Sequence, residues 1–155
     1  MSEDLWSAYA RTRVEFLDCD DVRWAIEPAG DRRQGWPDLG GPAFLAGVEV
    51  AWVLTAHNPF SDPLPPAANA WRQRACAAAV AAAGYPWRPA VGRGLDGAWE
   101  EESMLVAGAA ESVIAELARR FHQNAVYRWT PQEWSIIGVH MTGSRHLRWR
   151  GSRLS

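Results

Sequence analysis

The sequence contains no lysine; all sixteen of its basic residues are arginines. A Schiff base with pyridoxal phosphate needs a lysine amine. The Walker phosphate loop and the protein-kinase site each use a lysine as well, so all three chemistries are excluded. Cysteine is scarce, with Cys19 and Cys76 alone, and two cysteines build no disulfide framework. No H-E-x-x-H, C-x-x-C or G-x-S-x-G run occurs. The four histidines, at 57, 122, 140 and 146, lack metal-ligand spacing, so neither a metal nor a cofactor is expected. The longest apolar run, Ala75 to Ala83, is far short of the ~20 residues that cross a bilayer. The acidic, polar start Met1-Ser2-Glu3-Asp4-Leu5-Trp6 does not resemble a signal peptide. A cytoplasmic protein with reduced thiols and no membrane partner is expected.

Charge of either sign is in small excess only, with a net charge of −2, so nothing draws the whole chain to nucleic acid. The charge is polarised, however. Residues 1–47 carry nine acidic and five basic groups, and residues 111–155 carry three acidic and seven basic ones. The stretch Arg145-His146-Leu147-Arg148-Trp149-Arg150-Gly151-Ser152-Arg153 could hold phosphates. The simpler expectation is a solvated basic tail over 145–155, flexible, with nucleic acid not a partner.

Tryptophan is abundant, with ten along the chain. Core and rim packing is one reading, and stacking on a flat ligand the other. A chain of 155 residues fits one domain and can bury a core without disulfide or metal staples.

Periodicity sets the expected elements. A short helical turn fits residues 5–10. Thr12–Leu17 and Val22–Ile26 alternate as the strands of a hairpin, with Asp18-Cys19-Asp20-Asp21 as its turn. Residues 28–43 are rich in proline and glycine and predict a loop. Val48–Thr55 is almost wholly apolar, as a central strand is. Pro63, Pro65 and Pro66 set the start of an alanine-rich helix that stops at Gly84. Strands at Trp87–Val91 and Glu102–Ala107 follow, then a helix at Ala109–His122 with an apolar face of Val113, Ile114, Leu117, Ala118 and Phe121. Strands at Ala125–Trp129 and Ser135–Val139 complete the chain. The order β-α-β-β-α-β predicts an α+β fold, a ferredoxin-like core in which the N-terminal β-hairpin extends an antiparallel sheet.

Gly92-Arg93-Gly94-Leu95-Asp96-Gly97 matches G-x-G-x-x-G. A dinucleotide fingerprint must open a helix, but a strand follows, so a glycine-rich hairpin turn is expected. The expected topology brings several chemically capable residues to one end: Thr55, His57, Asn58, Asn69, Arg72, Arg93, Trp99, Glu101, His122, Gln123 and Asn124. Asn58, Asn69 and Gln123 are ligand-orienting amides in this reading. Arg72 and Arg93 are anion binders, and Glu101 is the acid/base candidate. An ordinary set of salt bridges and helix caps would explain the same composition.

Thr55-Ala56-His57-Asn58-Pro59, then Asn69 with Arg72, then Gly84-Tyr85-Pro86, followed by Trp99-x-Glu101-x-Ser103 and Phe121-x-Gln123-Asn124-Ala125-x-Tyr127, resembles a bacterial family of unknown function, domain of unknown function 3293. The resemblance spans residues 48–138. The family pattern carries an aromatic where His57 stands. The resemblance implies no activity, but it marks Asn58, Asn69, Arg72, Glu101 and Gln123, the residues that topology gathers. The expectation is a domain that binds a small polar or anionic molecule, a nucleotide or acidic metabolite, with Glu101 able to serve as an acid/base. The alternative is a protein-interaction module or homodimer.

Overall fold

The computed structural model describes residues 2–37 and 40–154. Part of the expected loop at 28–43, residues 38–39, lies outside that description, as do residues 1 and 155. Helix α1 (Ser2–Ala10) leads into β1 (Thr12–Leu17) and β2 (Arg23–Pro28). After the loop come β3 (Ala51–Leu54), α2 (Pro66–Ala83), β4 (Trp87–Gly94) and β5 (Glu100–Ala107). Helix α3 (Glu111–Arg120) precedes β6 (Ala125–Trp129), β7 (Trp134–Gly138), β8 (Ser144–Leu147) and β9 (Trp149–Arg153). Short 3-10 turns sit at Ala43–Leu45 and Pro59–Ser61.

All nine strands form one sheet in the order β8-β7-β6-β3-β5-β4-β1-β2-β9, and every neighbouring pair is antiparallel. The edge strands β8 and β9 are joined through Arg148 alone, so the sheet must curl until its edges nearly meet. The result is an almost closed antiparallel barrel with three helices. This corrects the ferredoxin-like expectation of a two-helix α+β core. The element order along the chain is as predicted, but the strands from β3 to β6 are fewer than half of the sheet. The remainder wraps round to enclose a second core where the expected fold has an open face. The Arg-rich segment 145–155 is corrected too: it supplies β8 and β9. Leu147 pairs with Trp134 on one side of the seam, and Gly151 pairs with Ile26 on the other.

Strand alternation divides the apolar residues between the two faces. Val14, Phe16, Ile26, Val53, Leu105, Tyr127, Trp129, Trp134, Ile136 and Trp149 fill the inside, with Trp6 of α1 among them. Trp52, Leu54, Met104, Val106 and Val126 face outward, where Cys76 and Val80 of α2 and Ile114, Leu117 and Ala118 of α3 cover them. Helix α2 opens on Pro66 and closes on Gly84 at φ 84°, as its sequence predicts. No described helix is long and apolar enough to cross a membrane.

Candidate functional site

On β5, alternation places Glu101, Ser103 and Leu105 on one face and Glu102, Met104 and Val106 on the other. Because Leu105 belongs to the inner core and Met104 to the outer one, Glu101 points into the barrel. There it lines a narrow cavity of about 40 Å³ with Thr12, Thr55, Gly92, Trp99, Gln123 and Tyr127 among its walls, and Tyr9 of α1 over them. Asn58 donates Nδ2–H to Glu101 Oε1 at 3.0 Å. Among the described residues, Oε2 receives no donor. Burial pushes the Glu101 carboxyl up from its ordinary range, and the Asn58 hydrogen bond offsets part of that.

Asn58 is held on every side. Its Oδ1 accepts from Asn69 Nδ2 at 2.7 Å and from Leu64 N at 3.0 Å, and its own N–H donates to Asn69 Oδ1 at 2.9 Å. Asn69 is buried on the first turn of α2, so the helix start fixes the amide that holds Glu101. Gln123 Nε2 donates to His57 O at 2.9 Å and to Phe121 O at 3.2 Å, tying the end of α3 to the strand β3 exit. Three residues of the intervening loop, Asn58 (φ 47°), Phe60 (φ 54°) and Ser61 (φ 64°), adopt left-handed backbone, as does His122 (φ 57°) facing them. Each such residue costs on the order of 1–3 kcal/mol, and such outliers gather at functional sites. Phe60 stacks on His122, with centroids 5.0 Å apart, and its N–H donates to His122 O at 2.6 Å.

The structure brings together four of the six residues expected from sequence: Glu101, Asn58, Asn69 and Gln123. Arg72 lies beside them but binds main chain: Nε donates to Ala56 O at 2.8 Å and Nη2 to Phe121 O. Arg93 is at the same end of the sheet but on its outer face, paired with Glu100 and, at 3.4 Å, with Glu15. Neither guanidinium faces the cavity. His57 contributes its carbonyl, while its imidazole has a buried Nε2 without a partner, and desolvation lowers its pKa.

Sequence reasoning missed Tyr9, Thr12 and Tyr127. The parity of β1 and β6 carries a signal, since Thr12 shares a face with Val14 and Phe16, and Tyr127 with Ala125 and Trp129. Tyr9 has none, because α1 reaches the site only through barrel closure. Burial, then the charge of Glu101, push the Tyr9 hydroxyl up to about 12, against hydrogen bonds from Ser61 and the Ala125 backbone. Tyr127 is also raised well above its ordinary value, chiefly by burial. Both therefore stay protonated at neutral pH. Among the described residues there is no cluster of three or more histidine, cysteine, aspartate or glutamate side chains able to hold a metal ion.

Comparison with curated proteins finds no match, and comparison with solved structures finds none. The family described as "Protein of unknown function (DUF3293)" matches residues 54–126, a span that contains Asn58, Asn69, Arg72, Glu101 and Gln123 and leaves out Tyr9, Thr12 and Tyr127; over that span the chain is similar to this family.

Proposed function

We propose that this domain binds a small polar molecule at the Glu101 end of the barrel, with Glu101 as the group that engages it. The observation that carries this reading is a carboxyl turned into a protein interior with one oxygen held by Asn58 and the other without a donor among the described residues. An interior carboxyl is costly unless it is compensated, and a single neutral donor compensates it only in part. Burial also raises the Glu101 pKa from its ordinary range, the direction that suits a carboxyl to acid/base work. The left-handed backbone at Asn58, Phe60 and Ser61 supports the same location independently.

Arg72 and Arg93 give no support to an anionic ligand, because each is committed elsewhere. The interaction-module alternative has Phe60, Trp71 and Leu95 as exposed large apolar side chains, spread over three separate elements. The test is proton–nitrogen NMR of the full chain against formamide, methylammonium, acetate and phosphate. The Gln123 side-chain amide and Trp99 indole signals should move saturably with at least one of them. If none moves them, the reading fails.

A further inference from the structure

The proton inventory of the cavity narrows what can enter it. Thr12 Oγ1 donates to Ala8 O at 2.8 Å, Thr55 Oγ1 to Glu102 O at 2.6 Å and Ser103 Oγ to Glu101 O at 3.2 Å. The Tyr127 hydroxyl donates to Tyr9 O at 2.9 Å. Gln123 has given its amide protons to two carbonyls. A hydroxyl has one proton and two acceptor lone pairs, and an amide oxygen only accepts, so these groups offer the cavity lone pairs. The Tyr9 hydroxyl, beside Ser61 and the Ala125 backbone, keeps its proton. Trp99 turns its ring edge toward the cavity: a Cβ built on Gly92, a wall residue, would meet Trp99 Cζ3 at 3.8 Å, whereas Trp99 Nε1 lies over Gly94.

Two acceptors remain without any donor among the described residues, Gln123 Oε1 and Glu101 Oε2. With a carboxylate on one wall and the donors of Thr12, Thr55, Ser103, Gln123 and Tyr127 spent, the cavity would repel an anionic acceptor such as a carboxylate or phosphate. It would welcome a compact group rich in N–H. The volume, about 40 Å³, has room for about three water-sized groups. That suits an ammonium with its adjoining methylene and is too little for a trimethylated one.

Building on the function proposed above, we infer that the Glu101 cavity is an amine pocket: it takes the ammonium group of a small primary amine, with Glu101 as counter-ion and Gln123 Oε1 as a second acceptor. Three ammonium protons then meet a charged oxygen, an amide oxygen and a hydroxyl lone pair, and charge-assisted bonds of this kind are the strong ones.

The test uses the full chain in potassium chloride at fixed ionic strength, with methylammonium, tetramethylammonium, formamide and acetate as probes. Gln123 and Trp99 side-chain signals report binding. Methylammonium should bind saturably, and tetramethylammonium and acetate should not. Glu101→Gln, which keeps an acceptor for Asn58, should weaken methylammonium tenfold or more. Gly92→Ala should weaken it as well by filling space, since the added Cβ meets Trp99, Ser103 and Thr12 at 3.8–3.9 Å without a clash. That second variant decides the matter if Glu101→Gln does not fold. Equal binding of acetate, competition by potassium at equal concentration, or unchanged affinity in both variants overturns the inference. A response to formamide alone overturns it while leaving the polar-ligand reading intact. No response to any probe overturns both.

Discussion

Replacing Gly151 by alanine tests whether the barrel is closed by one indole. A Cβ at Gly151 would lie 2.0 Å from Trp36 Cε3 and 2.1 Å from Cζ3, against an optimum of about 3.5–4.0 Å between carbons. The ring cannot slide away, because a Cβ at Gly41 would stand 2.4 Å from its Cδ1. Trp24 and Trp149 also pack on it edge-on, at 5.4 and 4.9 Å between centroids. Either Trp36 is expelled or β9 moves off β2, losing the Ile26–Gly151 pairing. Removing a fully buried tryptophan costs about 3–5 kcal/mol. Trp36 is half-buried, so expulsion should cost about 2 kcal/mol, within the ~1–3 kcal/mol range of overpacking. Gly151→Ala is therefore expected to destabilise the protein by about 2 kcal/mol and to lower Tm by about 4–8 °C. In a Trp36→Ala background the clash is gone. The alanine should then be neutral or stabilising by up to about 1 kcal/mol, because it restricts the unfolded chain. Urea denaturation of the four proteins in a double-mutant cycle gives the coupling. An equal cost of Gly151→Ala in both backgrounds would refute the wedge.

Glu101→Gln should raise stability at neutral pH. The folded pKa is raised, so the folded state holds its proton longer and wild-type stability falls as pH rises above the ordinary glutamate range. The other titratable groups over the carboxyl, Tyr9 and Tyr127, stay protonated throughout that window. The advantage of the variant should therefore vanish toward pH 4, and an advantage that grows on acidification would contradict the assignment. Arg72→Ala should cost about 2–3 kcal/mol in chemical denaturation, since a charged donor is lost from two carbonyls at once, Ala56 O and Phe121 O. Arg72→Lys, lacking the fork, should recover little of it. Thiol titration at pH 8 should count one reactive cysteine in the native protein, exposed Cys19, and two in denaturant, because burial raises the Cys76 thiol to about 12.

The elements governed by local periodicity were legible in the sequence. Strand β1 at Thr12–Leu17, β6 at Ala125–Trp129 and the Gly84 stop of α2 fall where alternation and capping put them. Closure was not legible, because it depends on pairings far apart in the chain: β2 lies against β9, with Ile26 opposite Gly151. Four arginines dominate 145–155 and suggest solvent, yet Trp149 and Gly151 are buried while Arg148 is exposed and Arg150 and Ser152 partly so, an alternation that marks a strand. The same distinction decides the site. Placing residues at one end of the sheet brought Glu101 and Arg93 together, but a strand has two faces. Arg93 pairs with Glu100 across β4 and β5, on the outer face, while Glu101 opposite Gly92 faces in.

That pairing gives the glycine run Gly92-Arg93-Gly94-Leu95-Asp96-Gly97 a purpose unrelated to nucleotides. Gly92 lies opposite Glu101, and its missing side chain leaves the cavity open. Gly94 lets the Trp99 indole close over the backbone, where a Cβ would stand 2.7 Å from Nε1. Gly97, at φ 75°, makes the turn, and Gly94 N–H donates to Trp99 O at 3.1 Å to lock it. A slip of one residue between β4 and β5 would turn Glu101 out to solvent and bring Glu100 and Glu102 in. The cavity is therefore a consequence of register, and the hairpin that pins the register is built from the same glycines that leave the cavity its space.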